Sequence, residues 1–289
     1  MLKKYFSIVV LILINLASVF STPKELDNFI KAYPECNFKS KYIPDINDFL
    51  ITVTFNSKTA YFYWADGRLL PQEEMDNKNI YNPLLYSYTK DIPDPQIFTD
   101  EDIQKIKEYT DYNNRQNSGI VPTYFYDFIY DCQTRKNAET HIISVSFLGK
   151  YVNINERIRG PLKNVENKIN ELVKTDAEVA EFVTKLARVD GYNWREISDS
   201  GKKSLHSVGI AVDILPKGWG QKNLYWLWRR DIDKENWMKL SLERRWTAPS
   251  KVIEAFEEEG FVYGGKWINW DNMHFEYTPE ILRFNKIID

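Results

Sequence analysis

Cysteine is nearly absent from this chain: Cys36 and Cys132 are the only two in 289 residues, so at most one disulfide can form. An oxidising compartment permits that bridge and two separate buried thiols remain the alternative; with only His141 near in sequence, neither is a convincing nucleophile. Positive charge is not in excess either, with 38 Lys and Arg against 41 Asp and Glu, which leaves no overall electrostatic reason to bind nucleic acid. Beyond the first 21 residues there is no long apolar run, and no internal repeat or low-complexity stretch. A hydrophobic fraction of 43% with 27% charged residues fits a soluble globular protein rather than a disordered or membrane-embedded one. The length allows one elaborated domain or two.

Residues 1–21 have the grammar of a secretory signal peptide. Lys3 and Lys4 form a positive start, Ile8 to Leu16 is apolar except for Asn15, and Val19 and Ser21 suit positions −3 and −1 of a cleavage site before Thr22. The run is too short for a spanning helix, and no Cys follows it for lipid attachment. Cleavage removes two lysines and no acid, taking the formal net charge from −3 to −5. These features predict a secreted or periplasmic protein with no stable membrane anchor.

Alternation from Phe49 to Trp64 around Asn56, Ser57 and Lys58 predicts a hairpin, closed by Asp66 and Gly67. Residues 71–98, rich in Pro, Asn, Asp and Tyr, read as a long loop. Thr99 with Asp102 marks a helix start, and Ile103, Ile106 and Tyr109 give that helix one face, fading by Asn113. A second hairpin runs from His141 through Gly149 and Lys150 to Ile154. Val165, Ile169 and Leu172, then Val179, Phe182, Val183 and Leu186, repeat at helical spacing. Pro249, with Val252, Ala255 and Phe256, starts a further helix that Gly260 ends. The pattern predicts an α+β core over residues 141–289, with an N-terminal α+β addition over residues 22–140.

The chemistry concentrates in two segments. In Ser204-Leu205-His206-Ser207-Val208-Gly209-Ile210-Ala211-Val212-Asp213, a strand over Gly209 to Ile214 puts Ala211 and Asp213 on one face and Ile210 and Val212 in the core. His206 has the wrong parity for that strand, so the chain must turn between them, and Gly209 permits it. Trp270 to Tyr277, as a strand, puts His274 and Glu276 on one face and Met273 and Phe275 on the other. Two His and one carboxylate are a common catalytic zinc set, leaving a position for water. Asp271, on the approach to His274, can serve as the proton-accepting carboxylate, with Glu276 in reserve. Each residue has a plainer reading: a hydrogen-bonded structural His, an Asp that ends a strand or caps a helix, a Glu that steadies a metal ligand from behind. His141, among Ile143, Val145 and Phe147, reads as an ordinary strand residue.

Ser-x-His-x-x-Gly-x-Ala-x-Asp followed by Asp-x-x-His resembles the zinc D-alanyl-D-alanine carboxypeptidase and dipeptidase family, which also holds L-alanyl-D-glutamate endopeptidases and shares the Hedgehog fold. Ser204, His206, Gly209, Ala211 and Asp213 match every fixed position of the first motif. The likeness spans about Tyr192 to Glu276, including Gly264-Gly265-Lys266-Trp267, and is only vague over residues 22–140. It implies a Hedgehog/DD-peptidase-like antiparallel sheet with flanking helices, and one zinc ion held by His206, Asp213 and His274. It implies Asp271 as general base, although many relatives carry the longer Glu there. By the same resemblance Arg195 holds substrate and steadies the oxyanion, the plainer reading being a surface ion pair with Glu196 or Asp199, and Ser204 hydrogen-bonds near metal or substrate, the plainer reading being a turn serine.

Between the motifs, Trp219, Tyr225, Trp226, Trp228, Trp237 and Trp246 form an aromatic insert that can wall the cleft or pack onto the core. The expectation is hydrolysis of peptidoglycan stem peptides, first as a D-alanyl-D-alanine carboxypeptidase. Alternatives are endopeptidase cleavage at L-Ala-D-Glu or in cross-links, and a non-catalytic zinc-containing cell-wall binding module. Oligomeric state is not encoded in these features.

Overall fold

A computed structural model of the chain describes residues 22–117, 119–195, 197 and 203–289. The expected signal peptide lies outside them, and among the described residues no helix is long and apolar enough to cross a membrane.

Helix α1 (Leu26–Ala32) leads into an antiparallel sheet of β1 (Asn37–Ile43), β2 (Asp48–Phe55) and β3 (Lys58–Tyr63). Asn56 and Ser57, both at positive φ, make the tight turn of the expected β2–β3 hairpin. Sequence reading misses β1, because Asn37–Ile43 is an edge strand whose Lys39 and Lys41 face water and leave little apolar alternation. The proline-rich stretch that follows is mostly irregular, with short 3₁₀ turns at Gln72–Ile80 and Pro95–Ile97.

Helix α2 (Asp100–Thr110) begins at the expected place. Thr99 Oγ1 accepts from the Asp102 amide at 3.2 Å, and Asp102 returns the bond to the Thr99 amide at 2.9 Å. Three short helices follow, α3 (Tyr112–Asn117), α4 (Tyr124–Ile129) and α5 (Arg135–Thr140). They are too short to carry a readable periodicity and are held by packing rather than propensity.

Strands β4 (Ile142–Phe147) and β5 (Lys150–Asn155) form the second expected hairpin, and α6 (Arg159–Val173) and α7 (Ala177–Thr184) are the two expected helices, except that Leu186, counted with the second, opens an unexpected strand after the helix ends. The remainder builds a four-stranded antiparallel sheet from β6 (Leu186–Asp190), β7 (Ala211–Pro216), β8 (Phe261–Tyr263) and β9 (His274–Tyr277), in the order β6-β7-β9-β8. Helices α8 (Trp226–Ile232) and α9 (Ser250–Glu257) lie between β7 and β8, and α10 (Pro279–Phe284) follows β9. The architecture is α+β with antiparallel sheets.

One apolar core runs through both halves of the sequence. Leu26, Phe29 and Tyr33 join Phe125, Val165, Val212, Phe256 and Phe275 in a single buried cluster. Polar bonds cross the same seam: Glu280 of α10, fully buried, accepts from Tyr33 Oη at 2.8 Å and from Tyr126 Oη. Burying a carboxyl group is tolerated only when such donors satisfy it.

Candidate metal centre

The centre of the four-stranded sheet lines up three side chains. Antiparallel register pairs Asp190 of β6 with Asp213 of β7, and Asp213 with His274 of β9. Directly paired residues share a face, so this row projects to one side of the sheet. His206 joins from outside the sheet. A 3₁₀ turn over Leu205–Ser207 and Gly209 at φ +80° reverse the chain ahead of β7, which starts at Ala211 rather than at Gly209. A Cβ on Gly209 would lie 2.8 Å from the Asn155 backbone nitrogen, so both space and backbone conformation require glycine there.

His206 Nε2 lies 3.2 Å from Asp213 Oδ1 and 3.3 Å from His274 Nδ1, and His274 Nδ1 lies 2.9 Å from Asp213 Oδ1. His206 is 2% and His274 9% exposed, so the three donors converge away from bulk water. Ligands about 2.0–2.2 Å from a tetrahedral ion sit roughly 3.3 Å from one another. The donor triangle fits that size.

The far side of each ring fixes what its near side offers. His206 Nδ1 lies 2.7 Å from the Gly191 carbonyl, which can only accept, so Nδ1 carries the proton and neutral Nε2 keeps its lone pair. His274 Nε2 lies 3.1 Å from Glu276 Oε2, which in the same way directs the Nδ1 lone pair inward. Two imidazole lone pairs and a carboxylate oxygen then meet at one point, and only a shared positive charge makes that arrangement favourable. Burial alone would push Asp213 up and His274 down. Where protons supply that charge, the opposite charges prevail: the two imidazolium rings hold Asp213 below the usual carboxylate range, and Asp213 and Glu276 raise His274. A divalent cation would supply the same positive charge in place of those protons.

Gly191 and Ser207 belong to this construction, and sequence reading did not single them out. A Cβ on Gly191 would sit 2.1 Å from the Asn153 carbonyl oxygen, so glycine alone lets β6 end against β5 with its own carbonyl aimed at His206. Ser207 Oγ accepts from the Arg195 amide at 2.9 Å and donates to the Arg195 carbonyl at 2.7 Å, clamping that backbone beside the site. A glycine ending a strand was the available signal for the first; Ser207 gave none.

A cleft of about 760 Å³ opens over the triad, with Asp271, Arg195, His206, Asp213 and Met273 among its lining residues. Asp271 is not on a continuous strand from Trp270 to Tyr277, as the alternation suggests. The His274 amide bonds the Asp271 carbonyl at 3.2 Å in a turn, while the Asp271 amide bonds Gly264 at 3.0 Å. That turn lifts the carboxylate toward the cleft. Burial and the nearby Asp213 push its pKa up to about 7, against the pull of His274 and Arg195. Among the described residues its buried Oδ1 has no hydrogen-bond partner.

Arg195 is exposed at the cleft wall; Glu196 and Asp199, its alternative ion-pair partners, lie outside the described residues. Ser204 is buried, and its Oγ accepts from the His206 amide at 3.2 Å, so the hydroxyl caps the 3₁₀ turn and does not line the cleft. His141 stands apart between Glu156 at 2.9 Å and Asp131 at 3.4 Å. Cys36 and Cys132 are free, buried thiols.

The aromatic insert divides. Trp219, Tyr225 and Trp228 line the cleft, Trp226 and Trp237 are buried in a satellite core with Trp270, and Trp246 stacks on Phe182. The N-terminal segment also reaches the centre. Tyr86 Oη accepts from Trp267 Nε1 at 3.1 Å, and the Trp267 ring lies 5.5 Å from that of His274.

A family profile described as D-alanyl-D-alanine carboxypeptidase matches residues 198–277, and a second, a domain of unknown function, matches residues 25–86. No curated protein and no solved structure matches the chain. The first match covers the segment that supplies His206, Asp213, Asp271 and His274, and it supports a peptidase of that family.

Proposed function

We propose that the chain is an exported zinc peptidase that hydrolyses peptidoglycan stem peptides, with D-alanyl-D-alanine carboxypeptidase cleavage as its reaction. The observation that carries this reading is the convergence of His206 Nε2, His274 Nδ1 and Asp213 Oδ1, each steered by an outward partner or by sheet register. These three side chains would hold one zinc ion. When bound, zinc supplies Lewis acidity, polarising a carbonyl and acidifying water. The protein supplies the rest. Asp271 Oδ1 accepts a proton from the attacking water and returns it to the departing amine, a task suited to a carboxyl titrating near neutrality. Arg195 pairs through two N–H groups with the developing oxyanion or the substrate carboxylate. Trp219, Tyr225 and Trp228 exclude water from one wall of the cleft.

Metal analysis of the mature protein, together with digestion of defined muropeptides read by mass spectrometry, tests the proposal. One zinc per chain and release of terminal D-alanine are expected. Cleavage of cross-linked dimers alone would replace the carboxypeptidase reaction with an endopeptidase one. Binding of muropeptides by zinc-loaded protein without hydrolysis would leave only a binding module.

A further inference from the structure

One charged pair in the cleft has no part in the chemistry above. Arg188 and Asp190 alternate on β6 and project to the same face, where both line the cleft. Arg188 Nη2 lies 2.9 Å from Asp190 Oδ2, and the side chains are 55% and 45% exposed, so each keeps open hydrogen-bonding capacity toward the cleft. The Arg188 guanidinium also lies 5.4 Å from the centre of the Trp219 ring, within cation–π range.

The sheet fixes where this pair stands. Asp190 is the direct neighbour of Asp213, so it sits one strand spacing, about 5 Å, to the side of the metal ligands. Arg188 lies two residues further out, about 7 Å along β6, opposite Leu215. Leu215, Trp219 and Trp228 give the intervening floor and wall an apolar character.

Resting on the peptidase reading, we infer that Arg188 and Asp190 form a specificity subsite for an α-amino-acid head group at the end of a substrate side chain, as in a diaminodicarboxylic acid residue preceding the D-alanyl-D-alanine unit. The ammonium bonds the free oxygen of Asp190, the carboxylate bonds the remaining guanidinium N–H groups, and the methylene spacer lies along Leu215 and Trp219. A neutral pair selects against a lone charge of either sign. A lysine side chain gains Asp190 but meets Arg188, and an acidic one gains Arg188 but meets Asp190. A free dipeptide does not fit, because its ammonium and carboxylate stand on opposite sides of the scissile bond and cannot both reach one pair.

Two stem peptides that differ only in a diaminopimelate or a lysine residue test the inference, with kcat/KM measured for the wild type, Arg188→Gln and Asp190→Asn. Zinc content and circular dichroism of each variant control for folding. The wild type should prefer the diaminopimelate peptide by about tenfold or more, the scale of one charged hydrogen bond. Arg188→Gln should erase that preference by slowing the diaminopimelate peptide and speeding the lysine peptide, whereas Asp190→Asn should slow both. Equal cleavage of both peptides by the wild type, or an equal loss on both in Arg188→Gln, overturns the subsite while leaving the peptidase reading intact. Should the zinc-loaded wild type cut neither peptide, the peptidase reading fails. Calorimetric binding of the two uncleaved peptides then decides the subsite, with equal affinity overturning it.

Discussion

Replacing Glu280 by Gln should make the protein more stable at pH 8 while leaving its stability near pH 5 little changed. Burial raises the Glu280 carboxyl from 4.5 to about 7, outweighing the hydrogen bonds from Tyr126 and Tyr33. Between those two values the folded protein keeps a proton that the unfolded chain has released, so stability falls as pH rises. The penalty is absent below about pH 4.5 and complete above about pH 7. A shift of this size corresponds to about 3 kcal/mol, and full burial leaves no solvent to screen it. Gln cannot ionise and still offers an oxygen to one phenol and an amide to the other, so any packing offset it introduces is constant with pH. Urea unfolding of the wild type and Glu280→Gln from pH 4.5 to 8.5, both stripped of metal by a chelator, measures the difference directly. Parallel stability curves across that range would show that Glu280 is ionised at neutral pH and that the reasoning is wrong.

His206→Ala or His274→Ala should remove stoichiometric zinc, detected by atomic absorption, together with hydrolysis; retained zinc in either would break the proposed ligand set. Asp271→Asn should keep zinc and lose turnover by about 10²–10⁴-fold, the usual contribution of a positioned acid–base group, and wild-type kcat would refute its role. Glu276→Ala frees the His274 ring and should weaken zinc binding by about 10–100-fold in a competition titration, with no change if Glu276 only packs. Chelation should lower the thermal midpoint, since zinc at a thousand times its Kd would contribute about 4 kcal/mol to folding stability.

Much of the candidate metal centre was legible because it depends on short-range pattern. The His-x-x-Gly-x-Ala-x-Asp run encodes a turn, a required glycine and a strand parity, and the structure contains each of them. The hairpin at Asn56, the capping box at Thr99 and the amphipathic helices α6, α7 and α9 were readable for the same reason. What escaped was set by distant contacts. Strand β1 lacks an apolar face of its own, α4 and α5 are two turns or less, and the 271–274 turn hides inside an alternating pattern. The carbonyl of Gly191 is invisible as chemistry until β6 is known to end beside His206. Ser204, which the motif singled out with a turn serine as its plainer reading, braces the turn that carries His206.

The shared core makes the carboxy-terminal half a poor candidate for transplantation. A fragment starting at residue 141 would uncover the surface that Phe29, Tyr33, Phe125 and Tyr126 now protect, and it would strand the Glu280 carboxyl without its phenolic donors. Such a piece would tend to aggregate before it could assemble a catalytic pocket, so the segment upstream acts less as an appended module than as the missing wall of the same building.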